Sequence, residues 1–266
     1  MASSASTVMP PSRWLPLWSI LEMDLKQTVK GWLYRLSLLV VLIISVGVLL
    51  NRAAVHREAG MIQYASVHVG DFLHYTVIFG AALSALFTAN VIAGERGNLL
   101  DNTLCRGVGR WHFYVGKLAA RSLAVLGGFL LVGLIFMVAA VFILKSDLDF
   151  DHCLVALLLV GSVLWLMVCA TMAVSASVNN TMLSLGVVLF VLYGLMALMW
   201  LVPMGGFTLT SFLNKLPMIV RYVDPQSQPG TYLVPMMPIM KQAGYIALAG
   251  CVCAGLGMLH FIRKDV

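Results

Sequence analysis

The residues best suited to metal chemistry lie near the start of the second apolar run. His68, Asp71 and His74 are three residues apart, a spacing that places side chains on one helix face, and His56 is nearby in the sequence. Imidazole and carboxylate groups together suit a divalent ion such as Zn²⁺. The same residues are also typical of the polar boundary of a membrane helix, where the helix dipole favours an acidic side chain. We expect no metal site, with His68, Asp71 and His74 as the residues to check.

Cysteine and methionine give no stronger indication of chemistry. The five cysteines are odd in number and most lie in or beside apolar runs, where a thiol behaves as a small buried hydrophobe. Methionines near the last two apolar runs could bind Cu(I), but methionine more often serves as adaptable packing. Neither residue type predicts a redox function.

Nucleotide binding and catalysis by this chain are not predicted. The segment GRWHFYVGK, residues 109–117, places six residues between its glycines where a P-loop has four, and Leu118 replaces the Mg²⁺-binding Ser or Thr. A His-Glu-x-x-His pattern is absent, and the centres of the apolar runs lack the ionisable groups of an ion-coupled transporter. We therefore expect no catalytic residue and no cofactor bound by this chain, which is not predicted to be an enzyme.

The composition indicates an integral membrane protein. Of 266 residues, 61% are hydrophobic and 11% charged, and the mean hydropathy is +0.94. Soluble domains have about 45–50% apolar and about 25% charged residues. These values exclude soluble enzymes, soluble binding proteins and disordered chains.

Six apolar runs are long enough to cross a bilayer as helices. A hydrocarbon core about 30 Å thick requires about 20 apolar residues, whereas barrel strands have about 9–11 residues. The predicted spans are residues 32–50, 72–93, 122–144, 153–176, 182–202 and 242–262. The sequence thus predicts an all-α integral membrane fold, with residues 1–266 forming a single transmembrane domain.

Residues 14–30, before the first span, predict an amphipathic helix that lies flat in the membrane interface. One face of this helix is apolar and consists of Trp14, Trp18, Leu21, Leu25 and Val29. Tryptophans near its start and basic residues near its end suit the headgroup region.

The basic residues predict that both termini are cytoplasmic. With six spans, eleven of the seventeen Lys and Arg residues lie on the side of the termini and six on the other side. Because cytoplasmic loops are enriched in Lys and Arg, the side with eleven is predicted to be inside. The chain is expected to be a multi-pass protein of the cell inner (cytoplasmic) membrane.

Two connections are long enough to carry function. The inner connection, residues 94–121, combines apolar positions, charges and glycines, and predicts a short helix, a turn and a second helix. The outer connection, residues 203–241, is rich in proline, too interrupted to span and too apolar for an ordinary loop. Irregular backbone at membrane depth persists only against protein or a water-filled cavity. We expect a re-entrant outer segment between spans five and six that caps the translocation path, with Pro217, Pro225 and Pro235 at the outer gate.

The inner connection resembles that of permease subunits of ABC transporters of the ABC-2 type, which have the type V exporter fold. In that family a Glu ends span two, a Gly and an apolar helix follow, and Gly-Lys opens span three. The corresponding residues here are Glu95, Gly97, Leu99, Leu100, Leu104, Gly109, Arg110, Gly116 and Lys117. Asn98 and Gly107 replace the family's Thr and Pro. The N-terminal amphipathic helix, the proline-rich outer segment and the basic tail FIRKDV resemble the family as well.

The resemblance implies a transport subunit powered by another chain. Its cytoplasmic coupling helix, between spans two and three, would dock on a separate ABC ATPase, which would bind ATP and Mg. The residues implied for this contact are Glu95, Gly97, Leu99, Leu100, Leu104, Arg106, Arg110 and Lys117. A second permease subunit, identical or homologous, would complete the path among membrane lipids, and nucleic acid is not an expected partner.

Spans with few fixed charges favour export of an amphipathic or hydrophobic compound. The alternatives are a six-span secondary transporter or channel that works without an ATPase, a membrane anchor or assembly factor, and an intramembrane enzyme. The identity of the cargo, the direction of transport, the choice between homodimer and heterodimer, and any accessory proteins stay open at this stage.

Overall fold

The regular elements of the chain are helices. The computed structural model describes residues 14–58, 64–93, 109–144, 148–178, 180–201, 216, 219–220 and 236–263. The helices are α1 (Leu15–Lys30), α2 (Trp32–Glu58), α3 (Ala65–Tyr75), a π-helical turn (Thr76–Gly80), α4 (Ala81–Ala93), α5 (Arg110–Ile143), α6 (Phe150–Ser177), α7 (Thr181–Leu201) and α8 (Met236–Arg263). The predicted all-α fold is confirmed for this part of the chain.

Five helical stretches are long and apolar enough to cross a membrane. They are Trp32–Val55, Ala65–Ala93, Arg110–Ile143, Phe150–Ser177 and Met236–Arg263. This result confirms an integral membrane protein. The remaining predicted span corresponds to α7, a helix of 21 residues that is apolar over Thr181–Gly194, and the six-span topology stays a prediction.

Helix α5 begins within the inner connection, at Arg110, and continues through the predicted third span to Ile143. The sequence predicted a second helix in this connection and a span from residue 122. Lys117 and Arg121, which precede that span, lie beside the Asp24 carboxylate of α1.

The chain runs back and forth between two ends of a helix bundle. Helix α1 packs against the first turns of α5, and the end of α8 meets the start of α5 through Arg110 and Ile262. Helix α1 and the end of α8 therefore lie at the same end of the bundle, which we call the α1 end. At the far end, the Asp149 backbone N–H donates to the Val220 carbonyl at 3.4 Å.

Small residues allow α8 to approach α6 closely. A Cβ atom added at Gly250 would lie 2.7 Å from the Trp165 ring, and one added at Gly257 would lie 2.7 Å from the Cα of Ala173. Helices in membranes associate through such close packing, because lipid provides little hydrophobic driving force. The α6–α8 pair is therefore closely packed along this contact.

Helix α2 is the most exposed span. In its most apolar stretch 11% of the residues are buried, against 56% in α6. It packs mainly on α5, where the Tyr34 hydroxyl donates to the Ala124 carbonyl at 2.7 Å and lies against Gly128. The first span is thus attached to one side of the bundle.

Candidate functional site

The candidate site is the set of contacts that attach both ends of the inner connection to other helices at the α1 end. We call this set, made by Ser175, Asp24 and Arg110, the frame. Six of the predicted ATPase-contact residues lie outside the described residues: Glu95, Gly97, Leu99, Leu100, Leu104 and Arg106. The predicted outer-gate residues Pro217, Pro225 and Pro235 lie outside them as well. The structure does describe the end of α4, which precedes the connection, and the start of α5, which follows it.

The last turn of α4 is bonded to α6 through one hydroxyl group. Ser175 Oγ donates to the Ala89 carbonyl at 2.8 Å and accepts from the backbone N–H groups of Ile92 and Ala93, at 3.3 and 3.1 Å. Ser175 is fully buried. Because this hydroxyl uses its donor and its acceptor capacity, the end of α4 is fixed immediately before the inner connection.

A side-chain bond joins the same end of α4 to α7. The Thr181 hydroxyl donates to Asn90 Oδ1 at 3.1 Å. Asn90 therefore makes a hydrogen bond to a neighbouring helix, which amide side chains in membrane spans commonly do.

Gly116 permits α1 to lie directly on α5. A Cβ atom at this position would lie 3.0 Å from Ile20 Cγ2 and 3.3 Å from the Leu17 carbonyl oxygen. A side chain at this position would force Ile20 or the α1 backbone to shift. The packing gives a physical reason for glycine at the start of this span.

One residue beyond Gly116, a buried ion cluster joins α1 to α5. Asp24 is 4% exposed, and its Oδ1 atom lies 3.5 Å from Lys117 Nζ and accepts a hydrogen bond from Arg121 Nη2 at 3.2 Å. Arg121 Nε also approaches Oδ2 to 3.1 Å, as an ion contact without the alignment of a hydrogen bond. Lys117 and Arg121 are four residues apart, so both side chains reach the same carboxylate.

The cluster is energetically sensitive to the loss of one partner. Buried charges carry a large desolvation cost, which is offset only while the opposite charges remain in place. Lys117 Nζ also lies 5.1 Å from the centre of the Phe113 ring, at cation–π distance. Helix α1 is therefore held by charges that are costly to separate.

Arg110 links the start of α5 to the end of α8. Its Nη1 atom donates to the Ile262 carbonyl at 3.1 Å. A cation is favourable there because the last carbonyls of a helix carry partial negative charge. The start of α5 is thus joined to both terminal helices of the described chain.

Comparison with known proteins decides the class of this protein. A sequence model for the family described as "ABC-2 family transporter protein" matches residues 18–266. The chain belongs to the ABC-2 transporter family. It is a membrane-embedded transport subunit of the permease type, and membership implies an ABC ATPase as partner. No curated protein matches the chain.

In the ABC-2 permease, α1 packs through a different face from the apolar one seen in the sequence. Trp14 and Trp18 are 68% and 64% exposed, whereas Asp24 and Thr28 are buried against α5. Sequence analysis did not single out Asp24, which pairs with α5. The available signal was an acidic residue in the amphipathic helix, together with two basic residues one helical turn apart before the third predicted span.

Two predicted ATPase-contact residues of the permease are described, and each has a partner within the chain. Lys117 is 6% exposed and belongs to the ion cluster, so its ammonium group is enclosed rather than presented to solvent. Arg110 contacts α8 and is partly exposed. Of the two, Arg110 is the more exposed.

The structure does not assemble the candidate metal ligands of the permease. Among the described residues, no group of three or more His, Cys, Asp or Glu side chains could hold a metal ion. Asp71 instead forms an ion pair with Arg52, at 2.7 Å between Oδ2 and Nη1. His68 is buried, and His74 packs beside the Tyr75 ring.

Proposed function

We propose that this ABC-2 permease is the transmembrane half of an exporter that moves an amphipathic or hydrophobic compound. A separate ABC ATPase supplies the energy, with ATP and Mg bound on that chain. A second permease subunit, identical or homologous, completes the path. The observation that carries this proposal is the frame at the α1 end, where both ends of the inner connection are attached to other helices.

The frame provides a route by which movement of the inner connection would reach the spans. Ser175 attaches the end of α4 to α6. The Asp24 cluster attaches the start of α5 to α1, and Arg110 attaches it to α8. A force on residues 94–108 therefore acts on several helices at once, and helices with two stable packings convert such a force into alternating access.

The same arrangement supports cytoplasmic termini. Helix α1 and the end of α8 share one end of the bundle, which is the end that collects eleven of the seventeen basic residues under the predicted topology. The exposed Trp14 and Trp18 suit the headgroup region of the inner leaflet. We place this end on the cytoplasmic side of the inner membrane.

The outer gate is proposed for the segment between α7 and α8. Its described residues Leu216, Ile219 and Val220 are almost fully buried in the main core. This burial supports a segment that packs against protein. Pro217, Pro225 and Pro235 would give that segment its breaks.

Copurification tests the ATPase partner and the coupling residues. The tagged permease is purified from its native membrane, and copurifying chains are identified by mass spectrometry. We expect an ATPase with a P-loop to copurify with the wild type, and to be lost when Leu100 and Leu104 are both replaced by Asp or when Arg110 is replaced by Glu. The control, Lys241→Glu, makes a charge reversal at an exposed site at the far end of the bundle and should retain the ATPase.

Reconstitution separates this proposal from an autonomous transporter. Vesicles containing the permease alone should not move the cargo, and addition of the ATPase with ATP and Mg should start transport. Transport by the permease alone would contradict the proposal. Retention of the ATPase by the Leu100/Leu104 variant would contradict the assignment of the coupling helix.

A further inference from the structure

A cavity of about 390 Å³ lies between the first three spans. Its walls come from α2, from α3 to α4 with the π-helical turn, and from α5, and Leu164 of α6 closes it at the back. The volume falls within the range of about 300–1,000 Å³ that is typical of small-molecule sites. It is formed within one subunit and does not depend on a second copy.

The mouth of the cavity opens on the apolar surface between α2 and the second span. Three lining residues are more than half exposed: Ile44 at 59%, Tyr75 at 53% and Phe79 at 61%. The helices on both sides of this mouth are apolar enough to cross a membrane. With these helices in a bilayer, the mouth would face lipid hydrocarbon.

The lining is mostly apolar, and its polar groups are six hydroxyl groups, which include those of Ser45 and Tyr75. Four of its hydroxyl groups donate to backbone carbonyls, namely those of Tyr34, Ser37, Thr76 and Ser84. Among the described residues that line the cavity, none carries a charge. A buried water needs two to four polar partners, and a charged ligand needs an opposite charge. The lining thus favours an uncharged hydrocarbon occupant.

The shape fits one hydrocarbon chain. On α2 the lining extends from Tyr34 to Ser45, which at a rise of about 1.5 Å per residue corresponds to about 17 Å. A volume of 390 Å³ over that length leaves room for at least one methylene chain. Carbon atoms in contact lie roughly 4 Å apart, so a methylene chain fits, whereas a helix about 10 Å across does not.

The π-helical turn is an independent feature of the same place. Thr76, Phe79 and Gly80 belong both to this turn and to the lining. Single π-helical turns within α-helices occur frequently at functional sites. Here the turn interrupts the regular packing of the second span at the cavity.

We propose that this cavity binds one acyl chain of a bilayer lipid, which enters sideways through the mouth at Ile44, Tyr75 and Phe79. A well-packed protein contains few voids of this size, and the exposed lining residues at the mouth are apolar or aromatic. The site is a property of the permease alone. It therefore stands or falls independently of the ATPase and of the transported compound.

Photocrosslinking of the full-length permease tests the site. The protein is reconstituted in bilayer nanodiscs that contain a phospholipid with a diazirine in one acyl chain, and crosslinked residues are mapped by mass spectrometry after illumination. We expect selective labelling of cavity residues such as Leu83 and Phe87. Val41→Trp, which fills the cavity from α2, should abolish that labelling.

A matched variant and a second filling variant control for misfolding. Ile43→Trp adds the same ring two residues away on α2, at a position that is 61% exposed and outside the lining, and should leave the labelling unchanged. Leu83→Trp fills the cavity from the second span and should act like Val41→Trp, with the labelling then read at Phe87.

Three results would overturn the proposal. The first is lipid labelling that is uniform over the exposed apolar surface and unaffected by Val41→Trp. The second is crosslinking to another permease chain when a photoreactive amino acid replaces Leu83, which would assign the space to a second copy. The third is labelling by a small diazirine-bearing hydrophobic compound but not by the lipid, which would assign the site to a free ligand.

Discussion

Replacing Asp24 by Ala should release α1 from α5. The carboxylate is the anion shared by Lys117 and Arg121, and all three side chains are largely enclosed, with side-chain exposures of 5%, 7% and 17%. Removal of the anion leaves two cations in a site that excludes water. We expect this single change to disrupt the α1–α5 contact.

The expected magnitude follows from the burial of the cluster. Removal of one member of a buried ion pair typically costs about 3–5 kcal/mol. The lower value is appropriate because Arg121 is partly exposed and Lys117 also faces the Phe113 ring. A loss of about 3 kcal/mol corresponds to a roughly 100-fold larger population with α1 detached.

Limited trypsin digestion of the purified permease measures that population. Lys26 and Lys30 lie on α1, and cleavage after them requires local opening of the helix. Where opening and closing are fast, the cleavage rate follows the population of the open state. We expect cleavage at these sites in Asp24→Ala to approach a 100-fold increase over the wild type.

Two further variants make this test specific. Glu22→Ala removes a carboxylate from the exposed side of the same helix, where it pairs with Lys26, and should leave cleavage unchanged. Combining Asp24→Leu with Lys117→Met and Arg121→Leu removes all three charges, and should restore docking because apolar residues of similar volume can replace a buried ion cluster. Wild-type cleavage in Asp24→Ala, with the protein correctly folded, would refute the assignment of the cluster as the attachment of α1.

Three more variants test the packing around this frame. Gly116→Val should weaken the docking of α1 by about 1–3 kcal/mol, because the added methyl groups overpack the contact. Cleavage of α1 should therefore increase. Gly257→Ala should lower the thermal stability of the detergent-solubilised permease by a similar energy, since its new methyl group would meet the Cα of Ala173 at 2.7 Å. Ser175→Ala should cost about 1–3 kcal/mol through the loss of its bonds to α4, and should increase hydrogen exchange at the last turn of that helix.

Matched substitutions serve as controls for these variants. Gly127 and Gly255 have open space where a Cβ atom would lie, so Gly127→Val and Gly255→Ala should resemble the wild type. For Ser175, the control is Ser177→Ala, near the end of the same helix and exposed. If a glycine variant and its control had equal effects on cleavage or stability, the close contact would not be the cause. Equal effects of Ser175→Ala and Ser177→Ala would likewise contradict the role of the Ser175 hydrogen bonds.

The helices could be predicted from the sequence, but the packing of α1 could not. The predicted helix over residues 14–30 corresponds closely to Leu15–Lys30, because helical periodicity is a local property. The face that packs is determined by Lys117 and Arg121, more than ninety residues away. No periodicity within α1 contains that information.

Contacts between distant parts of the chain were equally hidden from the sequence elsewhere. Nothing near Lys117 and Arg121 in the sequence indicated that they are buried, because their partner Asp24 lies on another helix. The apolar pattern of α2 does not reveal how loosely that helix is attached, since lipid-facing and protein-facing residues are equally hydrophobic. The resemblance of the inner connection, by contrast, depends on local residues and predicted the family, which the match over residues 18–266 confirms.

The long separation between Asp24 and its partners has a consequence for biosynthesis. Lys117 follows Asp24 by 93 residues, which a ribosome translating about 5–20 residues per second needs roughly 5–20 s to add. During that interval the carboxylate has no counter-ion from the third span. Docking of α1 through this cluster therefore cannot precede synthesis of the third span, and a product truncated before that span would lack both cations that neutralise Asp24 in the folded protein.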